Sequence, residues 1–172
     1  FMLLREREQI EVETVALLYP DANDAIRESA ELLEDLFRRE ELADVRGASP
    51  VSVRHFPLKG LEDVYSEATC TQYAQGVRDA IVALQAQHQD HQIYLSLAGG
   101  RKAMAALTYY AAQQAGLRHV WHTVISDPAV ETRVFSETVA RSLERLDRRA
   151  RAERLFLRAY AADDAAFSLF RI

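Results

Sequence analysis

Residues 93–104 read Ile-Tyr-Leu-Ser-Leu-Ala-Gly-Gly-Arg-Lys-Ala-Met, and this stretch decides the fold. Its first five residues form an apolar run typical of a strand that is buried on both faces. Gly99 and Gly100 then break the run, and the apolar repeat that starts at Met104 and Leu107 indicates a helix. The stretch therefore predicts a strand, a tight turn and a helix in succession.

The same order of strand and helix recurs on both sides of this stretch. Strands are predicted over 14–19, 51–55, 93–97 and 119–125, and helices from Asp24, over 71–88, and from Lys102 to a C-cap at Gly116. Residues 57–70 lack periodicity and are interpreted as a long loop. Because alternating strands and helices favour right-handed crossovers, we expect an α/β fold with a Rossmann-like, mostly parallel sheet and helices on both faces.

The rest of the chain is divided around this sheet. We expect an N-terminal stub over 1–11, a Rossmann-like ligand-sensing domain over 12–135 that ends in a short edge strand over 131–135, and a C-terminal helical extension over 136–172 that begins with a long helix over 136–160. Phe1 precedes Met2 and has two explanations: a vector-derived residue, or the end of a membrane segment that preceded it.

Charge, cysteine content and hydropathy exclude several classes of protein. The 172 residues carry a formal net charge of −5, which argues against binding of duplex nucleic acid. Cys70 is the single cysteine, so an internal disulfide and a multi-cysteine metal site are excluded. No run approaches the roughly 18 apolar residues of a membrane span. We therefore expect a cytoplasmic protein, or the cytoplasmic domain of an inner-membrane protein whose membrane segment is missing from this chain, with no metal and no cofactor.

The turn over 98–102 carries the chemistry. Gly99 and Gly100 permit close approach of the backbone, the following helix presents its N-terminal N–H groups, and Arg101 and Lys102 add two positive charges, so the turn suits a phosphate. It lacks the G-x-G-x-x-G pattern of dinucleotide-dependent redox enzymes, and it lacks the Walker lysine pattern of mononucleotide hydrolases. A plain chain reversal with solvated cations is the alternative.

Residues 96–104, read between an apolar strand and an Ala-rich helix, resemble the signature of the CRISPR-associated Rossmann fold (CARF) sensor domains, and the order of elements agrees over about 12–135. The resemblance implies a homodimer that binds cyclic oligoadenylate, the second messenger of type III CRISPR systems, across its two-fold axis. Cyclic tetra-adenylate is favoured, because its internal two-fold symmetry matches that of a dimer.

The resemblance also implies which residues touch the ligand. They are Gly99, Gly100, Arg101 and Lys102 for phosphates and riboses, Ser96 and Ala98 for the floor beneath them, and, matched by location and not by letters, Pro20, Asp21, Ala22 and Asn23 for adenine or ribose. Thr71 is a further candidate from its own position, because it lies where a predicted helix opens toward the proposed cleft. For Thr71, a plain helix N-cap at Cys70 and Thr71 is the alternative. No catalytic residue is assigned.

Two functions from different classes follow. The first is a sensor that transmits ligand binding to an effector outside this chain, a membrane segment being one candidate, in antiviral defence. The second is a standalone, metal-independent ring nuclease that cleaves cyclic tetra-adenylate; Ala103, which stands where many CARF proteins have Ser or Thr, removes a hydroxyl that would bind phosphate there. An unrelated phosphate-binding Rossmann domain is a third interpretation.

Overall fold

The computed structural model describes residues 8–38, 51–97, 102–125, 150 and 167–172. Within these ranges the elements, in chain order, are β1 (Thr14–Pro20), α1 (Asp24–Arg38), β2 (Ser52–Leu58), α2 (Glu67–Gln87), β3 (Tyr94–Ser96), α3 (Lys102–Gln114), β4 (His119–Ile125) and β5 (Phe167–Arg171). The alternation of strands and helices confirms the predicted α/β, Rossmann-like fold.

The strands form two hydrogen-bonded groups. β1 pairs with β2 in parallel from Thr14 opposite Ser52, and β3 pairs with β4 in parallel from Tyr94 opposite His119. β5 pairs with β4 in the antiparallel sense. Pro57 lies inside β2 and lacks an N–H group, which a strand tolerates when it pairs on one side, as β2 does with β1 in the described part of the chain.

A contact before β1 and β3 orients the two groups of strands. The Oε2 of Glu13, which precedes β1, lies 3.1 Å from the Nε2 of His91, which precedes β3. The amino ends of these strands therefore lie at the same edge of the structure. The helices that follow β2 and β3 give the direction of the strands: α2 contacts α3 through Tyr73 and Thr108 near their starts and through Gln85 and Ala115 near their ends, so the two helices run the same way. Since β1 is parallel to β2, and β3 to β4, the carboxyl ends of all four strands lie at the opposite edge.

Helices cover both faces of the β1–β2 pair. Side chains alternate along a strand, so His55, which contacts Glu34 of α1, and Leu58, which lies against Gly76 of α2, point to different sides. A Cβ added at Gly76 would lie 2.8 Å from a methyl carbon of Leu58, so the missing side chain lets α2 approach the end of β2.

The main core lies between α2, α3 and the strands. Its most deeply buried members are small or branched apolar side chains: Leu61, Val77, Ile81, Ala111, Ala112 and Val120. Full burial of a Val, Leu or Ile side chain stabilises the fold by about 1.5–3 kcal/mol. Tyr73 of α2 and Thr108 of α3 add a buried hydrogen bond, with 3.0 Å between their hydroxyl oxygens.

Several element boundaries differ from those that the sequence predicts. The starts of β1 and α1 and both ends of β4 agree with the prediction. Gly116 ends α3 with φ +72°, and Leu117 N donates a hydrogen bond to Ala112 O. This Schellman arrangement confirms the predicted C-cap. The loop predicted over 57–70 was too long at both ends, because β2 continues to Leu58 and α2 begins at Glu67.

The carboxyl end of the chain holds a strand that the sequence reading did not predict. β5 over Phe167–Arg171 adds to β4, which is a long-range pairing with no local signal. The predicted edge strand over 131–135 lies outside the described residues, as does nearly all of the predicted helix over 136–160. In the part of the chain that the structure describes, no helix combines the length and apolar character that crossing a bilayer requires.

Candidate ligand-binding site

Three of the strands are followed by a helix at the carboxyl edge of the strands. The connections are the turn after β1 at 20–23, the loop after β2 at 59–66, and the segment from β3 to α3, of which the structure describes Leu97. In open parallel sheets this edge forms the ligand crevice, because helices begin there with unpaired N–H groups. We call the edge formed by these three connections the crevice.

The turn after β1 is fixed by its own polar groups. Asn23 is the N-cap of α1: its Oδ1 accepts hydrogen bonds from the backbone N of Ala25 at 3.0 Å and of Ile26 at 3.3 Å. Pro20 is buried at the end of β1, and Ala22 N donates to a backbone oxygen of the neighbouring loop. The Asn23 side-chain oxygen is therefore already engaged, and its amide N–H groups are what it can offer a ligand.

Asp21 joins this turn to the loop after β2. Its Oδ1 accepts a hydrogen bond of 2.7 Å from Gly60 N, and Ala22 N donates to Leu61 O at 3.1 Å. Gly60 has φ +70°, a left-handed conformation that glycine adopts without strain. The Asp21 carboxylate thus holds two of the three connections together, a structural role that the sequence did not suggest.

The third connection is described at both of its ends. Ser96 is the exposed last residue of β3, Leu97 N donates to Trp121 O at 2.9 Å, and Lys102 is the exposed first residue of α3. Strand and helix therefore flank the turn as predicted. Ala98, Gly99, Gly100 and Arg101 lie outside the described residues, so the phosphate-binding role expected of them is still a prediction.

Thr71 lies one turn inside α2 instead of at its start. The N-cap is Ser66, whose side chain accepts from Thr69 N at 3.2 Å while Thr69 Oγ1 accepts from Ser66 N at 2.9 Å. Thr71 Oγ1 donates to Glu67 O at 2.9 Å within the helix. The N-cap interpretation of Cys70 and Thr71 was therefore wrong, and the contact of Thr71 with a ligand stays a prediction.

A chain of hydrogen bonds near the crevice was missed by the sequence reading. Tyr19 Oη lies 3.0 Å from His55 Nδ1, and His55 Nε2 lies 3.0 Å from Glu34 Oε2. Because a carboxylate only accepts, Nε2 carries a hydrogen, and in the tautomer with that single hydrogen Nδ1 accepts from the Tyr19 hydroxyl. Burial, reinforced by the carboxylates of Glu31 and Asp21, raises the pKa of Tyr19, so the phenol keeps the proton that it donates.

The opposite edge of the strands offers a different environment. A depression of about 280 Å³ lies there beside the carboxyl ends of α2 and α3, and its lining includes His88, His91 and Arg118. Helix carboxyl ends carry partial negative charge, which disfavours phosphate. Among the described residues, no group of three His, Cys, Asp or Glu side chains is arranged to hold a metal ion.

Comparison with known protein families gives a match over most of the chain. The model of a family described as CRISPR-associated protein NE0113 matches residues 2–158, which is most of the chain and includes β1 to β4 and the whole crevice. A search of curated proteins finds no match to the chain.

Proposed function

Because the chain belongs to the CRISPR-associated protein NE0113 family, we propose that it is a homodimeric sensor of the CARF type. It binds cyclic oligoadenylate, with cyclic tetra-adenylate favoured, and transmits ligand binding to an effector outside this chain in type III CRISPR antiviral defence. The observation that carries the proposal is the position of Lys102, exposed on the first turn of α3 directly after the diglycine turn.

The chemistry of this position fits a phosphodiester. The N-terminal turn of α3 presents backbone N–H groups and a partial positive charge, to which Lys102 and Arg101 add full charges. Gly99 and Gly100 leave room for the ligand backbone because they have no side chain. Adenine and ribose then lie toward the other connections, where Asp21 fixes the turn after β1 against the loop after β2.

A second copy of the chain supplies the other half of the proposed site. A two-fold dimer presents the same turn twice, and a cyclic tetra-adenylate presents the same phosphates twice, so one ring satisfies both subunits. Binding across the axis favours one relative orientation of the subunits, and that difference in orientation is the signal that an effector reads.

The test is a binding experiment with labelled cyclic tetra-adenylate and purified protein in the absence of metal. We expect intact ligand to co-elute with dimer, and Lys102→Ala to weaken binding at least ten-fold through loss of charge-assisted contacts. Arg118→Ala is the matched control, because it removes an exposed cation at the opposite edge. Unchanged affinity in Lys102→Ala contradicts the site.

The same incubation decides between the functional classes. Linear products formed at catalytic turnover would contradict the sensor proposal and identify the protein as a ring nuclease. The absence of both binding and cleavage would leave a phosphate-binding Rossmann domain with another ligand. A protein that stays monomeric at every concentration, with or without ligand, would contradict the dimeric site.

A further inference from the structure

The loop after β2 carries an aromatic side chain on the crevice. Tyr65 is 73% exposed, more than any other large hydrophobic residue in the described part of the chain. Its neighbour Val64 is 6% exposed and Leu61 is 1% exposed. The loop therefore buries two of its apolar side chains and holds the third, the largest, in solvent.

The backbone at Tyr65 is held in place. Tyr65 N donates to Thr69 Oγ1 at 3.1 Å, and the same oxygen accepts from Ser66 N at 2.9 Å in the capping box of α2. Leu61 and Val64 anchor the preceding residues in the main core. An exposed ring on a fixed backbone binds a ligand with little loss of backbone entropy, which favours recognition.

The packing of α2 on α3 places this loop near the first residue of α3. Tyr73, in the second turn of α2, bonds to Thr108, in the second turn of α3, and Gln85, near the end of α2, donates to Ala115 O just after α3, so the two helices run in the same direction and begin at the same edge. The loop is further tied to the turn after β1 through the hydrogen bond between Asp21 and Gly60. Tyr65 thus lies on the edge to which the proposed phosphate contacts belong.

We propose that Tyr65 stacks on an adenine base of the ligand and sets the preference for adenine; this inference rests on the proposed function. Every base has a π-face, and stacking on an aromatic side chain is a common source of affinity for unpaired nucleotides. Purines stack more extensively than pyrimidines because their rings are larger. Exposed Lys59 in the same loop adds positive charge for the polyanion.

The experiment compares the affinities of cyclic tetra-adenylate and cyclic tetra-uridylate for four proteins: the unmodified chain and three variants of it. In Tyr65→Ala, binding of the adenylate weakens about ten-fold or more, whereas binding of the uridylate changes less, so the preference for adenine shrinks. Tyr65→Phe keeps the ring and stays within about three-fold of the unmodified protein. Tyr110→Ala, which removes the 56% exposed tyrosine of α3, leaves both affinities unchanged.

Each outcome has one meaning. If the unmodified protein binds neither ring, the proposed function fails, and this inference fails with it. If the unmodified protein binds and Tyr65→Ala binds equally well, the inference alone is overturned. It is overturned as well if Tyr65→Ala loses the dimer, or if Tyr65→Phe is as weak as Tyr65→Ala, since a subunit contact or the hydroxyl would then explain the effect.

Discussion

The carboxylate of Asp21 accepts a hydrogen bond of 2.7 Å from the backbone N of Gly60, and this contact joins residues 39 positions apart. Asp21 follows β1, and Gly60 follows β2, so the bond links two connections at the crevice. A carboxylate that accepts from a backbone N–H in this way fixes the shape of a loop without closing it to solvent. The bond therefore fixes the position of one connection relative to the other.

Asp21→Ala should lower the free energy of unfolding by about 1 kcal/mol, because it removes one hydrogen bond to a charged group at an exposed position. Asp21→Asn keeps an accepting oxygen and should lose less. Chemical denaturation with urea measures both values. Asp90→Ala, which removes an exposed carboxylate at the opposite edge, is the control. Equal stabilities for Asp21→Ala and the control would show that the contact does not stabilise the loop.

The chain formed by Tyr19, His55 and Glu34 should behave as a unit. Tyr19→Phe and Glu34→Gln each remove one bond to the same imidazole, so their effects on the free energy of unfolding should be non-additive by at least about 0.5 kcal/mol. A double-mutant cycle measures this coupling. Tyr94→Phe with Glu34→Gln is the control cycle, because Tyr94 bonds to Gln92 instead of His55, and it should be additive.

The buried hydrogen bond between Tyr73 and Thr108 should show a different pattern. Tyr73→Phe leaves the buried Thr108 hydroxyl without this partner and should cost about 1–2 kcal/mol of stability. Adding Thr108→Val removes the stranded hydroxyl, so the double variant should be more stable than Tyr73→Phe alone. Thermal unfolding measures the stability of the three variants. A double variant whose loss of stability equals the sum of the losses in the two single variants would contradict the explanation.

The phenol of Tyr73 should also make the free energy of unfolding fall at alkaline pH. Burial raises the pKa of Tyr73 above its ordinary value of 10.0, although the hydrogen bond with Thr108 lowers it in part. The folded state therefore favours the protonated phenol, and the contribution of Tyr73 is fully present below pH 10 and is lost as the pH rises beyond it. Between about pH 8 and pH 11, Tyr73→Phe should lose less stability than the unmodified protein. If the free energies of unfolding of Tyr73→Phe and of the unmodified protein fall equally over this pH range, Tyr73 is not the group responsible.

Gly116 should tolerate substitution according to backbone conformation alone. Its φ is +72°, and a Cβ built there meets nothing within 4 Å, so only the strain of the left-handed conformation opposes a side chain. Gly116→Ala should cost about 1 kcal/mol, and Gly116→Asn less, because asparagine adopts this conformation more readily. Urea denaturation compares the two variants; a more stable alanine variant would contradict the Schellman arrangement.

The elements predicted correctly are those with a strong local pattern. β1 and β4 are apolar runs, and α3 begins after two glycines and ends at a third, so short-range sequence sufficed. The first turn of α2 was missed because polar groups stabilise it: Ser66 and Thr69 cap the helix, whereas the predicted start rested on the spacing of apolar residues. β5 was missed because its partner is distant in sequence.

The candidate site divides in the same way. The strand and helix that flank the diglycine turn were predicted from contiguous residues and are confirmed, with Ser96 ending β3 and Lys102 beginning α3. The contacts between connections, such as that of Asp21 with Gly60, depend on which strands are neighbours and on their register. Sequence alone gave the order of the elements but not that register, so His55 could not be matched with Tyr19 or Glu34.

The antiparallel pairing of β4 with β5 has a topological consequence. Ile125, the last residue of β4, is paired with Phe167, the first residue of β5, so the chain between them leaves and rejoins the sheet at a single point. Residues paired across two antiparallel strands lie about 5 Å apart, so a hairpin of a few residues would be enough to join β4 to β5.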